Sequence, residues 1–358
     1  MTAEYKTFAN GLRVAVDPLP HIESAIIGFW CDCGSRYETP EINGIAHFYE
    51  HMLFKGTKER SALQIAQSME NIGGQMNAFT GRDTTAYYAH VLKNDVKKAF
   101  DILADMVLHS TFPEDELETE RGVILQEIAM TEDTPVDILF DHMAALNYPD
   151  QALGRPILGS NDTVKAMSQK SLFTYQHDHM HPSNIVISVS GNVDPDMIYA
   201  LAEEYFGEKD PLAKNHADKA QYKGGDRFIT KEVEQSHIAL SFEAPGRHDD
   251  LYHALKVFST LFGEGMSSRL FQEIREKRGL AYSVSSFFHA HDDTGIFGIY
   301  MGTDKECINE CLQVCTDEIV KAAENNITEE EISRAKAQLK SSLLFAQESP
   351  FRRANMQG

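Results

Sequence analysis

The chain has 358 residues, which at roughly 150 residues per domain suggests two domains. Its 42% hydrophobic and 24% charged residues exclude wholesale disorder and fibrous architectures. With 33 Lys and Arg against 54 Asp and Glu, the net charge of -21 disfavours nucleic acid and anionic membranes as partners and favours basic ligands.

Taken in chain order, the start (Met1-Thr2-Ala3-Glu4-Tyr5-Lys6) has neither a secretory apolar core nor an Arg-rich transit pattern. Residues 24–31 read as a strand, and Cys31 and Cys33 at its end fall on one face and belong to a core. A helix spans Ile45 to Phe54 after the break at Pro40 to Gly44. Ser61 N-caps a second helix carrying Ile65, Met69 and Ile72 at helical spacing, and Gly73-Gly74 stops it. Gln75 to Phe79 and Thr84 to Val91 form two strands around a turn at Gly81-Arg82-Asp83. Helices come next over Asp95 to Leu108 and from Pro113 to about Met130.

Residues 208–226 are polar and rich in breakers, the composition of a linker. The chain beyond this linker repeats the first half in outline: strand 237–243, helices 251–262 and 267–277, strands 281–288 and 295–302, helix 305–323, and a last helix opened by Thr328-Glu329-Glu330-Glu331. The expectation is an α+β protein of two similar domains, each a mostly antiparallel sheet packed with helices and related by duplication. Residues 1–207 and 227–358 are the two domains. Cys307, Cys311 and Cys315 recur every four residues, a core stripe of the second. Five cysteines, an odd number, argue against a disulfide framework and for a reducing, cytoplasmic setting. No apolar run reaches the ~20 residues that span a bilayer.

His47 and His51 stand at i and i+4 on helix 45–54, so both imidazoles leave one face a turn apart, as two nitrogens gripping one zinc ion require. Glu50 lies on the same side and can take a proton from a water. The alternative is a solvated helix face, which Phe48, Met52, Leu53 and Phe54 make costly. A catalytic zinc keeps three protein ligands and one open position, so a third ligand is needed elsewhere. Helix 113–130 offers Glu120 and Glu127, seven residues apart on one face; taken alone, both are better explained as solvated carboxylates, though Ile124, Leu125 and Ile128 surround Glu127 with apolar character. His177, His179 and His181 read as an exposed, extended segment before strand 185–190.

His47-x-x-Glu50-His51 with Glu127, 76 residues after His51, resembles the inverted zincin motif of the pitrilysin family of zinc endopeptidases. The chain is most similar to the branch holding the mitochondrial processing peptidase catalytic subunit and its bacterial relatives. The resemblance runs through Gly44–Thr57, Gly73–Thr80, Leu125–Ile128, Gly191–Asp194 and Ser267–Tyr282, nearly the whole chain. It implies that His47, His51 and Glu127 hold one zinc ion per chain, that Glu50 is the general base, and that Glu120 supports the ligands. It also implies that Asn77, Ala78 and Phe79 lie on an edge strand that takes the substrate as an added strand. Arg275 and Tyr282 would reach the scissile bond from the other half of a chamber.

The implied activity is zinc-dependent hydrolysis of short, unfolded or presequence-like peptides by a homodimer; the acidic charge suits basic peptides, and no nucleic acid or membrane partner is expected. Leu255, Phe258 and Ser259 stand where the first half has His47, Glu50 and His51, so the second domain would carry no metal. An inactive peptide-binding or scaffold subunit of the same family is the competing class, though such subunits lose motif residues and this chain keeps all four. Tyr49 replaces an aliphatic residue of many relatives, and relatives continue beyond Gly358 with a further strand and helix.

Overall fold

Two sheets organise the chain. The computed structural model describes residues 3–324 and 327–358. Strands β1 (Glu4–Thr7), β2 (Arg13–Pro18) and β3 (Ser24–Cys31) precede helices α1 (Ile45–Leu53) and α2 (Ala62–Glu70). The hairpin β4 (Gln75–Thr80) and β5 (Thr85–Leu92) leads into α3 (Val96–His109), α4 (Glu114–Asp133) and α5 (Pro135–Asn147). Then come α6 (Asn161–Ala166), α7 (Gln169–His179), β6 (Ile185–Gly191) and α8 (Pro195–Phe206). The second half holds β7 (Ser236–Ala244), α9 (Tyr252–Gly263), a π-helical turn (Phe271–Glu276), β8 (Ala281–Ala290), β9 (Gly295–Thr303), α10 (Ile308–Ala323), α11 (Glu329–Glu348) and α12 (Pro350–Asn355).

The first sheet has the order β1-β2-β6-β3-β5-β4 and is antiparallel except where β2 pairs β6. The second has the order β7-β9-β8, all antiparallel. Its order matches that of β3-β5-β4, and α9, α10 and α11 come after its strands as α1, α3 and α4 come after theirs. Two similar α+β domains are therefore visible in the topology. Each sheet is closed by its own apolar core: Phe29, Phe48, Phe100 and Phe206 with Cys31 and Cys33 in the first, and Phe262, Ile274, Ile299, Cys311 and Cys315 in the second.

The domains are not the two continuous stretches read from the sequence. One compact unit comprises Met1–Ala129, Arg155–Ala217 and Ala346–Gly358; the other comprises Met130–Gly154 and Asp218–Phe345. The reason lies in the two helices that come after the long α4 and α11. Both begin with proline after a hydroxyl residue, Thr134-Pro135 and Ser349-Pro350. Within the second unit α5 packs on β7, and within the first α12 packs on β6 and β3. There Trp30 Nε1 donates to Asn355 Oδ1 at 2.9 Å, Ser188 Oγ to the Ala354 carbonyl at 2.8 Å, and Arg353 Nη2 to the fully buried Asp17 at 2.8 Å. The stretch read as a linker has no regular structure between Asp210 and Val233, and the two units divide within it.

Two further differences are local. The expected helix 267–277 is π-helical over Phe271–Glu276, where the Lys277 amide reaches back five residues to the Gln272 carbonyl at 3.0 Å. His177 and His179 end α7 rather than lying extended, and His181 beyond it is buried against Asn184.

Candidate metal centre

Helix α1 buries Ile45, Ala46, Phe48, Tyr49, Met52 and Leu53 and leaves His47, Glu50 and His51 on the opposite, half-buried stripe. Its start is fixed from outside the helix. Gly44 caps it with φ +93°, and a Cβ there would come within 2.6 Å of the Leu158 carbonyl, so only glycine fits. The Glu38 carboxylate accepts from Gly44 N at 2.8 Å, Ala46 N at 2.9 Å and Asn43 Nδ2 at 2.8 Å. It thereby satisfies amides that the first turn leaves free. Burial pushes the Glu38 carboxyl up to about 7 against these bonds.

The structure brings together His47, His51 and Glu127, whose candidate ligand atoms all lie within 4.8 Å of one another. Glu127 Oε2 is 3.6 Å from His47 Nε2 and 3.7 Å from His51 Nε2. That oxygen is buried and has no hydrogen-bond partner. Donors bound at about 2.0–2.2 Å to a tetrahedral ion stand roughly 3.4 Å apart, so the three groups fit zinc with little adjustment. Burial and the neighbouring His51 lower the His47 imidazole to about 4, so at neutral pH it is uncharged, the form able to ligate a metal.

Around this trio the contacts differ by residue. Glu120 Oε2 is 2.8 Å from His51 Nδ1, and its other oxygen is 2.6 Å from Lys55 Nζ. Burial opposes ionisation of Glu120, but Lys55 and His51 outweigh it and hold the carboxyl below its ordinary range. Glu50 accepts a hydrogen bond from the Thr80 hydroxyl, and burial raises its carboxyl despite that bond. Thr80, Lys55 and Glu38 were not singled out from sequence. Lys55 and Thr80 sit inside the blocks that carry the family resemblance, yet residue type alone names no partner.

Strand β4 is the last strand of its sheet, with β5 on one side only. The Ala78 amide is held by its neighbour's Asn77 Oδ1 at 2.8 Å, and the Phe79 ring packs with Trp30, Tyr88 and Phe351 on the side covered by α12. In the second unit, the Arg275 guanidinium lies 4.7 Å from the Phe271 ring centre and 5.0 Å from that of Tyr282. Tyr282 is 72% exposed, not a core residue.

The family model described as insulinase (peptidase family M16) matches residues 13–161, and that described as peptidase M16 inactive domain matches 166–339. An uncharacterized zinc protease of Streptomyces coelicolor is 41% identical over 356 residues, covering 97% of this chain and 78% of that protein. One of Bacillus subtilis is 41% identical over 344 residues, covering 96% and 84%. Among solved structures, a protease from Helicobacter pylori superposes with a TM-score of 0.91 at 24% identity, covering 99% of this chain and 88% of that one. The peptidase M16 inactive domain from Pseudomonas fluorescens gives 0.92 at 21% identity, covering 100% and 87%. These two share the fold. Sequence identity across nearly the whole chain carries the assignment further: the chain belongs to the insulinase (peptidase M16) family, the pitrilysin family of the sequence resemblance.

Proposed function

We propose that the chain is a zinc-dependent endopeptidase acting on short, unfolded, basic peptides in the cytoplasm. The observation that carries this reading is the buried, unpartnered Glu127 Oε2 facing the Nε2 atoms of His47 and His51. His47, His51 and Glu127 would hold one zinc ion, which supplies Lewis-acid polarisation of a peptide carbonyl and acidifies a water. Glu50 takes the proton from the attacking water and returns it to the leaving nitrogen, a task favoured by its raised carboxyl. Thr80 holds Glu50 in place. Asn77, Ala78 and Phe79 offer strand backbone to the peptide. The Arg275–Tyr282 pair would stabilise the carbonyl oxygen as charge develops, from the partner chain of a homodimer.

Digestion of a peptide library read by mass spectrometry tests this. Wild type should cleave, with a preference for basic peptides, whereas Glu50→Gln should keep fold and zinc and lose at least ~10²-fold in rate. Zinc binding with no cleavage of any peptide would point to a peptide-binding subunit instead.

A further inference from the structure

We propose that Lys55 is a positioning residue of the metal centre, acting through Glu120 on His51; the inference rests on the zinc reading of His47, His51 and Glu127. His47, His51 and Lys55 are spaced at i, i+4 and i+8, so they fall along one line of α1 and the turn at its end. The Lys55 amide donates to the Met52 carbonyl at 3.1 Å, which ties the lysine to the end of the helix that carries the histidines. Lys55 also directly follows the C-cap residue Phe54, at the end of a helix where positive charge is favoured.

Glu120 comes from α4 and sits between two residues of this line. One oxygen meets Lys55 Nζ at 2.6 Å and the other meets His51 Nδ1 at 2.8 Å. With each oxygen committed to a different partner, the carboxylate cannot rotate without breaking a contact. A carboxylate facing an ammonium only accepts, so His51 Nδ1 carries the proton and the Nε2 lone pair is left facing Glu127. Glu120 is 5% exposed, and without Lys55 it would be a buried anion deprived of its cation.

The other histidine has no such support. His47 Nδ1 is buried and has no hydrogen-bond partner. Orientation of the ligand pair thus depends on the His51 side, and Lys55 is the outermost residue of the chain of contacts that fixes it.

Zinc affinity by chelator competition, together with the melting temperature of the metal-free protein, tests the proposal. Lys55→Met should weaken zinc about tenfold and also lower the metal-free melting temperature, because Glu120 is left a buried anion without its cation, and Lys55→Gln, measured alongside, should do the same. Lys55→Arg, which keeps the cation, should stay close to wild type. In a Glu120→Gln background the Lys55→Met loss should vanish, because the residue it acts through no longer carries charge. Affinity of Lys55→Met and Lys55→Gln equal to wild type, or a loss that persists in the Glu120→Gln background, would overturn the role of Lys55. A wild-type protein that takes up no zinc would overturn the zinc reading beneath it.

Discussion

Glu120 and Glu127 reach opposite nitrogens of one ring: on His51, Glu120 Oε2 is 2.8 Å from Nδ1 and Glu127 Oε2 is 3.7 Å from Nε2. The first contact is a hydrogen bond; the second leaves room for an ion. Replacing Glu127 by Gln should therefore weaken zinc by more than replacing Glu120 by Gln, for which about 10–100-fold is expected. Zinc titration of both variants checks the order, and the reverse order would exchange the two roles.

Thr80 ends the edge strand β4 and donates its hydroxyl to Glu50 on α1. Thr80→Val keeps shape and removes the donor, so turnover should fall roughly tenfold while zinc content is unchanged. Thr80→Ser, which restores the hydroxyl, should recover most of the rate. Equal rates for the valine and serine variants would show that the bond plays no part.

Arg275 stacks over Tyr282 across a π-helical turn, with both side chains on one surface of the second unit. Arg275→Ala and Tyr282→Phe should each lower peptide turnover without changing zinc content or melting temperature. If the pair serves a partner chain, mixing Arg275→Ala with Glu50→Gln should restore activity, since one site of each mixed dimer has both contributions intact. No recovery, with mixed dimers verified by native mass spectrometry, would place the pair in service of its own chain.

The second unit carries a pH-dependent clamp. Arg269 Nε and Nη2 donate to Glu331 at 2.6 and 2.8 Å, and the Thr328 amide and hydroxyl donate to it at 2.8 and 2.9 Å at the start of α11. Arg269 foremost lowers the Glu331 carboxyl from 4.5 to about 2. Because the folded value is the lower one, the stabilisation is complete above pH 4.5 and is lost as pH falls from there toward 2. The melting-temperature gap between wild type and Glu331→Gln should be constant above pH 4.5 and shrink below it; a gap independent of pH would contradict this.

Much of this site was legible because it is local. The spacing of His47, Glu50 and His51 fixes one helix face, and the apolar residues between them fix which face is buried. The N-cap residue Ser61 likewise marks the start of α2, where the structure adds a reciprocal bond from Gln64. The features that escaped are non-local. Lys55 matters only because α4 brings Glu120 to it, and Thr80 only because β4 runs beside α1. Strands β1 and β2 escaped because β1 is short and wholly exposed, and β2 owes its place to parallel pairing with β6, some 170 residues away. Helices α5 and α12 pack in units that their sequence neighbourhood does not suggest. The π-helical turn has the apolar spacing of an ordinary helix, so periodicity could not announce it.

Titrating zinc into chelator-stripped protein, with cleavage of a basic, unstructured peptide as the readout, tests the metal centre most directly. The prediction is no cleavage without metal, and activity that rises to a plateau at one zinc per chain. Cleavage that survives stripping, or none at saturating zinc, would contradict a zinc peptidase built on His47, His51 and Glu127.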